Sequence, residues 1–150
     1  MSVAVHWDTD PEYVPAERLA EVARAALEYG GRDDLELNVI LVGEQELTRL
    51  HGEFLDDDSP TDVITFDLGQ EGAGPTGEVY ISADCARSTA AAREVDAERE
   101  LALYLVHGVL HLCGLDDHEP EERAAMRAAE QRVMESLGYA PDCAPHDGEV

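Results

Sequence analysis

ELALYLVHGVLHLCGLDDH, residues 100–118, is the stretch on which the fold of this chain turns. Up to Leu112 it is apolar nearly all the way round a helix, and a helix without a polar face belongs at the centre of a fold. Two histidines interrupt it. His107 and His111 are four residues apart, which stacks them on one helical face where both imidazoles can point at a single ion. A helix can supply two ligands in this way, but a third has to come from elsewhere. Gly114 is suited to the left-handed conformation that ends a helix and turns the chain back. Asp116, Asp117 and His118 follow at once, and each can ligate. Three protein ligands with one open position is the layout of a catalytic zinc site rather than a closed structural one. A lone pair of histidines on a buried helix reads as core; the glycine turn and the acids behind it favour metal. Zincin peptidases carry a glutamate directly after the first histidine of such a pair, as general base. Gly108 occupies that position, which disfavours peptidase chemistry.

Outward from this helix, the pattern predicts an α/β (α+β) fold: a small mixed sheet of about four strands packed with about five helices. Residues 3–7 alternate as a short strand. Leu19, Val22, Ala23, Ala26 and Leu27 recur at helical spacing after Pro15, until Gly30 and Gly31 stop the helix. LELNVILV (35–42) alternates again, with Leu35, Leu37, Val39 and Leu41 on one face. Residues 44–54 read as a helix with Leu47, Leu50 and Phe54 inward, broken by the acidic DDDSP (56–60). TDVITF and GEVYIS then form two strands, separated by what reads as a glycine-rich loop, GQEGAGPTG (69–77). That loop is too short and polar for a crossover helix, so the strands should pair antiparallel. Three more helices are expected, over residues 85–95, 96–113 and 120–137, with a frayed tail over 140–150. No repeat divides the chain, and 1–150 reads as a single domain.

Composition bounds the setting. The 150 residues suffice for a real core without disulfides. Cys85, Cys113 and Cys143 form no C-x-x-C pair and leave an odd thiol, which points to a reducing, cytoplasmic compartment. No segment approaches the roughly 20 apolar residues that span a bilayer, and the first residues lack the pattern of an export signal. The formal charge is −24, and all ten cationic residues are arginine. Such a surface repels nucleic acid at low ionic strength, whereas a salty cytoplasm would screen most of that repulsion.

HGVLHLCGLDDH resembles the HGxLHLxGYDH signature of the YbeY-type endoribonucleases, the rRNA maturation factors. LHGEFLDDDSPTDVITF is similar to that family's LNxxYRxxDxPTDVLSF, and GEVYIS to its GDIVIS; the three motifs stand in the same order. The resemblance implies a metal-dependent endoribonuclease that cleaves single-stranded RNA in ribosomal RNA maturation and ribosome quality control. It implies one Zn2+ ion, held by His107, His111 and Asp117, with ribosomal RNA, the ribosomal subunit or its proteins as partners. The family's third histidine falls on Asp117, and His118, one residue later, is the rival ligand. The same donors suit Ni2+ and other divalent ions. The family's arginine falls on Leu55, which cannot clamp a phosphate as a guanidinium does. Arg49, Arg87 or Arg93 would have to replace it, or the chain is a ribosome-biogenesis binding factor with weak nuclease activity. Thr61 and Asp62 are candidates for the far wall of the cleft, and Glu78 for a hydrogen bond behind the ligands. Cys113, Tyr104 and Met126 read as core, and His6, His51 and His146 receive no role.

Overall fold

The computed structural model describes residues 2–32, 34–55, 63–71, 74–116 and 118–139. Among the described residues nine elements follow one another: β1 (Ser2–Trp7), α1 (Ala16–Gly30), β2 (Glu36–Val42), α2 (Glu44–Leu55), β3 (Val63–Glu71), β4 (Gly74–Ser82), α3 (Ala83–Arg93), α4 (Ala97–Leu112) and α5 (Pro120–Ser136). The strands form one mixed sheet in the order β1-β2-β4-β3. β1, β2 and β4 run parallel, and β3 is antiparallel to β4. The expected fold class and the antiparallel pair are therefore present.

α4 lies at the centre, as its apolar circumference requires. Leu101, Leu103, Leu105, Leu110 and Leu112 are all buried, each stabilising the fold by about 1.5–3 kcal/mol relative to exposure. They join one core with the inward faces of α1 and α5 and with Leu35, Leu37, Val39, Leu41, Val79 and Ile81 of the strand region. A side-chain cap opens each of α3 and α4. The Ser82 hydroxyl accepts the Cys85 N–H at 3.1 Å, and the Asp96 carboxylate accepts the Glu98 N–H at 3.1 Å, each worth about 1 kcal/mol.

Two features differ from expectation. β2 is not buried on one face alone: Ile40 and Val42 form a second cluster with Leu47, Leu50 and Ile64, so α2 covers the opposite face of the sheet. Both faces of the sheet therefore carry helices, which is why this strand reads as nearly continuously apolar at its end. Residues 69–71 and 74–77 are not an open loop either. Gly69 pairs with Thr76, Gln70 with Pro75 and Glu71 with Gly74, so the two strands extend into a long hairpin. A register shift between Asp67 and Gly69 accommodates them, with Gly69 at φ 75° and its N–H donated to Asp67 Oδ1 at 3.1 Å. The glycine bends the ladder without ending it. No described helix is long and apolar enough to cross a membrane. The expected tail, with Cys143 and His146, lies outside the described residues.

Candidate metal centre

α4 delivers His107 and His111 from successive turns, with ring centroids 5.4 Å apart and planes inclined at 80°. A zinc–nitrogen bond of about 2.1 Å plus about 1.1 Å to the ring centre sets each centroid about 3.2 Å from a shared ion; at a tetrahedral angle the two centroids would be about 5.2 Å apart. The observed spacing is compatible with a common ion.

Sequence reasoning missed the group behind His107. Its Nδ1 lies 2.5 Å from Oε2 of Glu130, which sits on α5 and is only 3% exposed. An ionised Glu130 accepts the Nδ1–H of His107, the arrangement that suits ligation through Nε2 when the ring is neutral. Met126, Ala129, Val133 and Met134 make up the buried stripe of α5, and Glu130 stands in the middle of it. A glutamate at an apolar position of a helical stripe was the signal available from sequence, because a carboxylate is buried only with a partner.

The turn after α4 behaves as its glycine predicts. Gly114 adopts φ 105°, its N–H bonds to the His111 carbonyl at 3.0 Å, and the Leu115 N–H returns to the Leu110 carbonyl at 3.1 Å. Two arginines brace the reversal. Arg32 donates from Nη1 to the Leu112 carbonyl at 2.9 Å and to Asp67 Oδ2 at 3.1 Å. The Gly69 N–H and then Arg32 hold the Asp67 carboxyl below the usual range. Arg123 of α5 donates to the His118 carbonyl at 3.0 Å. A Cβ on Gly30 would lie 2.3 Å from Cys113 Sγ, so the end of α1 fits against this turn only without a side chain. Burial there pushes the Cys113 thiol up, in keeping with a core role.

Gly108 has a structural reason of its own. A Cβ there would meet Val63 Cγ1 at 2.9 Å, Val79 Cγ1 at 3.0 Å and Thr65 Cγ2 at 3.4 Å. At this point α4 rests directly on β3 and β4, and the position reserved in zincins for a glutamate has no space for one.

The structure thus brings His107 and His111 together. It does not bring His118 to them: that side chain is 78% exposed, with Nε2 3.3 Å from Asp116 Oδ1. Asp117 lies outside the described residues, and among those described no third His, Cys, Asp or Glu completes a metal-binding group. Thr61 and Asp62 also lie outside, as does the side chain of Leu55; the strand they precede begins at Val63, which packs on Gly108. Glu78 is turned away from α4. Gly77 and Val79 face the helix, so Glu78 and Tyr80 point to the other side of the sheet, where the Tyr80 hydroxyl donates to Glu78 at 3.2 Å.

The arginines weighed as substitutes are held by other groups. Arg49 pairs with Glu46 at 2.6 Å and Glu53 at 2.7 Å along α2. Arg87 stacks over the Tyr13 ring, and Arg93 pairs at 3.1 Å with buried Glu100, two turns before His107. Tyr104 and Met126 are core residues, the Tyr104 hydroxyl meeting Thr89 at 3.1 Å. His6 lies 3.3 Å from the Asn38 side chain.

Comparison with known proteins places these features in a family context. A sequence model described as endoribonuclease YbeY matches residues 6–138. A relative of that name from Chlorobium phaeovibrioides is 35% identical over 138 residues, covering 92% of each chain. Another, from Bacillus licheniformis, is 33% identical over 93% of this chain and 98% of its own. The solution structure of a Thermotoga maritima protein superposes with a TM-score of 0.59 at 25% identity, covering 89% of this chain and 90% of that one.

Proposed function

That this chain belongs to the YbeY family of endoribonucleases is the premise from which we propose its chemistry: cleavage of single-stranded RNA during ribosomal RNA maturation and ribosome quality control, in the cytoplasm, at a divalent-metal site. The observation that carries the reading is the imidazole pair at 5.4 Å, backed by a buried carboxylate. We assign His107 and His111 as two ligands and Asp117 as the third. The outward set of His118 favours Asp117 over its neighbour, and a carboxylate oxygen binds zinc at nearly the distance of an imidazole nitrogen. Zinc is the ion we favour, with nickel suited to the same donors. When bound, the ion supplies Lewis acidity toward a phosphate oxygen and toward water.

The chain's own residues do the rest. His107 and His111 are held on a buried, capped helix, so they need no reordering on binding. Arg32 and Arg123 hold the carbonyls of Leu112 and His118, which precede and follow Asp117 in the chain. Gly108 leaves no side chain that could act as a peptidase base, which supports a phosphodiester over a peptide as substrate. The charge of −24 opposes an RNA polyanion, so binding strengthens as salt shortens the screening length toward about 3 Å at molar ionic strength. Ribosomal RNA within a ribosomal subunit, where basic proteins lie close by, suits this surface better than free RNA at low salt.

Incubation of zinc-loaded protein with single-stranded RNA at low and high salt tests the proposal. Cleavage that disappears in His111→Ala supports it, and RNA binding without cleavage in the native chain refutes it in favour of a binding factor. Elemental analysis of native protein, Asp117→Ala and His118→Ala identifies the ion and the third ligand. Leu55→Arg measures what the leucine costs, with faster cleavage the expected result.

A further inference from the structure

Glu130 is a buried charged group outside the proposed ligand set. It lies in the apolar stripe of α5, 3% exposed. A carboxylate placed there is costly to bury unless it is hydrogen-bonded, and Nδ1 of His107, 2.5 Å away, is its partner. The two residues are 23 positions apart and on different helices, so the contact exists only because α5 packs across α4. A carboxylate set against an imidazole inside an apolar stripe points to a task other than packing.

We propose that Glu130 is a positioning residue for the metal site. By accepting the Nδ1–H of His107 it selects the tautomer with a bare Nε2 and locks the ring in the plane from which it can ligate. A ligating histidine held this way by a carboxylate binds metal more tightly, because ring orientation and tautomer are settled beforehand. Arg123, two turns before Glu130 on α5, braces the carbonyl of His118, so the same helix steadies both arms of the site. The inference rests on the reading of His107 as a ligand.

The experiment has two readouts. Imidazole nitrogen NMR on metal-free protein reports the tautomer of His107, and calorimetric titration with zinc reports affinity. In the native chain His107 should carry its proton on Nδ1. Glu130→Gln keeps a carbonyl acceptor and should keep that tautomer, whereas Glu130→Leu should shift the ring toward the Nε2–H form and weaken zinc binding about 10- to 100-fold. A native His107 protonated on Nε2 would overturn the proposal, as would full zinc affinity in Glu130→Leu. Folding of each variant is checked by circular dichroism, and the native-chain spectrum decides the tautomer even if the leucine variant does not fold. Zinc affinity unchanged in His107→Ala would sink the ligand reading and leave the tautomer result standing, so the two failures are distinguishable.

Discussion

Replacing Gly108 with alanine tests whether the sheet, and not chemistry alone, dictates glycine beside His107. At an unencumbered helix interior that change stabilises by about 1 kcal/mol, through helix propensity. Here the added methyl would stand 2.9 Å from Val63 Cγ1 and 3.0 Å from Val79 Cγ1, against ordinary carbon contacts of about 3.5–4.0 Å. Val79 is fully buried on a central strand, so it has little room to retreat. Overpacking of this kind costs about 1–3 kcal/mol, which outweighs the propensity gain and leaves a net loss of up to about 2 kcal/mol. For a domain of this size each kcal/mol corresponds to a melting shift of about 2–4 °C. Urea unfolding followed by circular dichroism, in chelator so that metal binding does not mask the change, gives the value directly. Val79→Ala removes one of the two closest methyls, so alanine at 108 should be better tolerated in that background, with a coupling of about 1 kcal/mol in a double-mutant cycle. A stabilised Gly108→Ala, or additivity with Val79→Ala, refutes the packing argument and reopens position 108 to a catalytic side chain.

Other perturbations address the braces around the site. Arg32→Met deprives the Leu112 carbonyl and Asp67 of their donor and should cost about 1–3 kcal/mol, with the loss seen as a lower urea midpoint and looser zinc binding. Asp67 has a lowered carboxyl pKa, so the stability it lends is present above its unfolded value and is lost as pH falls through the folded one; Asp67→Asn should flatten acid unfolding in that window. Tyr13 and Tyr139 are pushed up to about 12 by burial. Neutral tyrosine is favoured in the folded chain, so their contribution is whole below about pH 10 and disappears as pH rises toward 12. Ultraviolet titration should show a late phase that is reduced in Tyr139→Phe and reduced further in the double phenylalanine variant; a single early phase in the native chain would contradict their burial.

Much of this architecture was legible in the residues because its causes are local. The period of apolar side chains marked the helices, alternation marked β2, and glycine at 114 marked the reversal, since each depends on neighbours within a turn or two. The four-residue spacing of His107 and His111 likewise settled that they share a face. The pairing of residues 69–71 with 74–76 is not legible locally, because glycine and proline signal a break, while the ladder between β3 and β4 continues past one bulge. The second apolar face of β2 was legible only as a continuous run, without the helix that covers it.

The sequence by itself determined that a buried helix carries two stacked imidazoles and ends in a glycine turn, because helical geometry repeats with a fixed period whatever surrounds it. Only the tertiary structure decided that Glu130 stands behind His107, that β3 and β4 leave no room at Gly108, and that Arg32 and Arg123 hold the turn. Those contacts join residues far apart in the chain, and their distances are set by how whole helices and strands pack, a quantity no local pattern encodes.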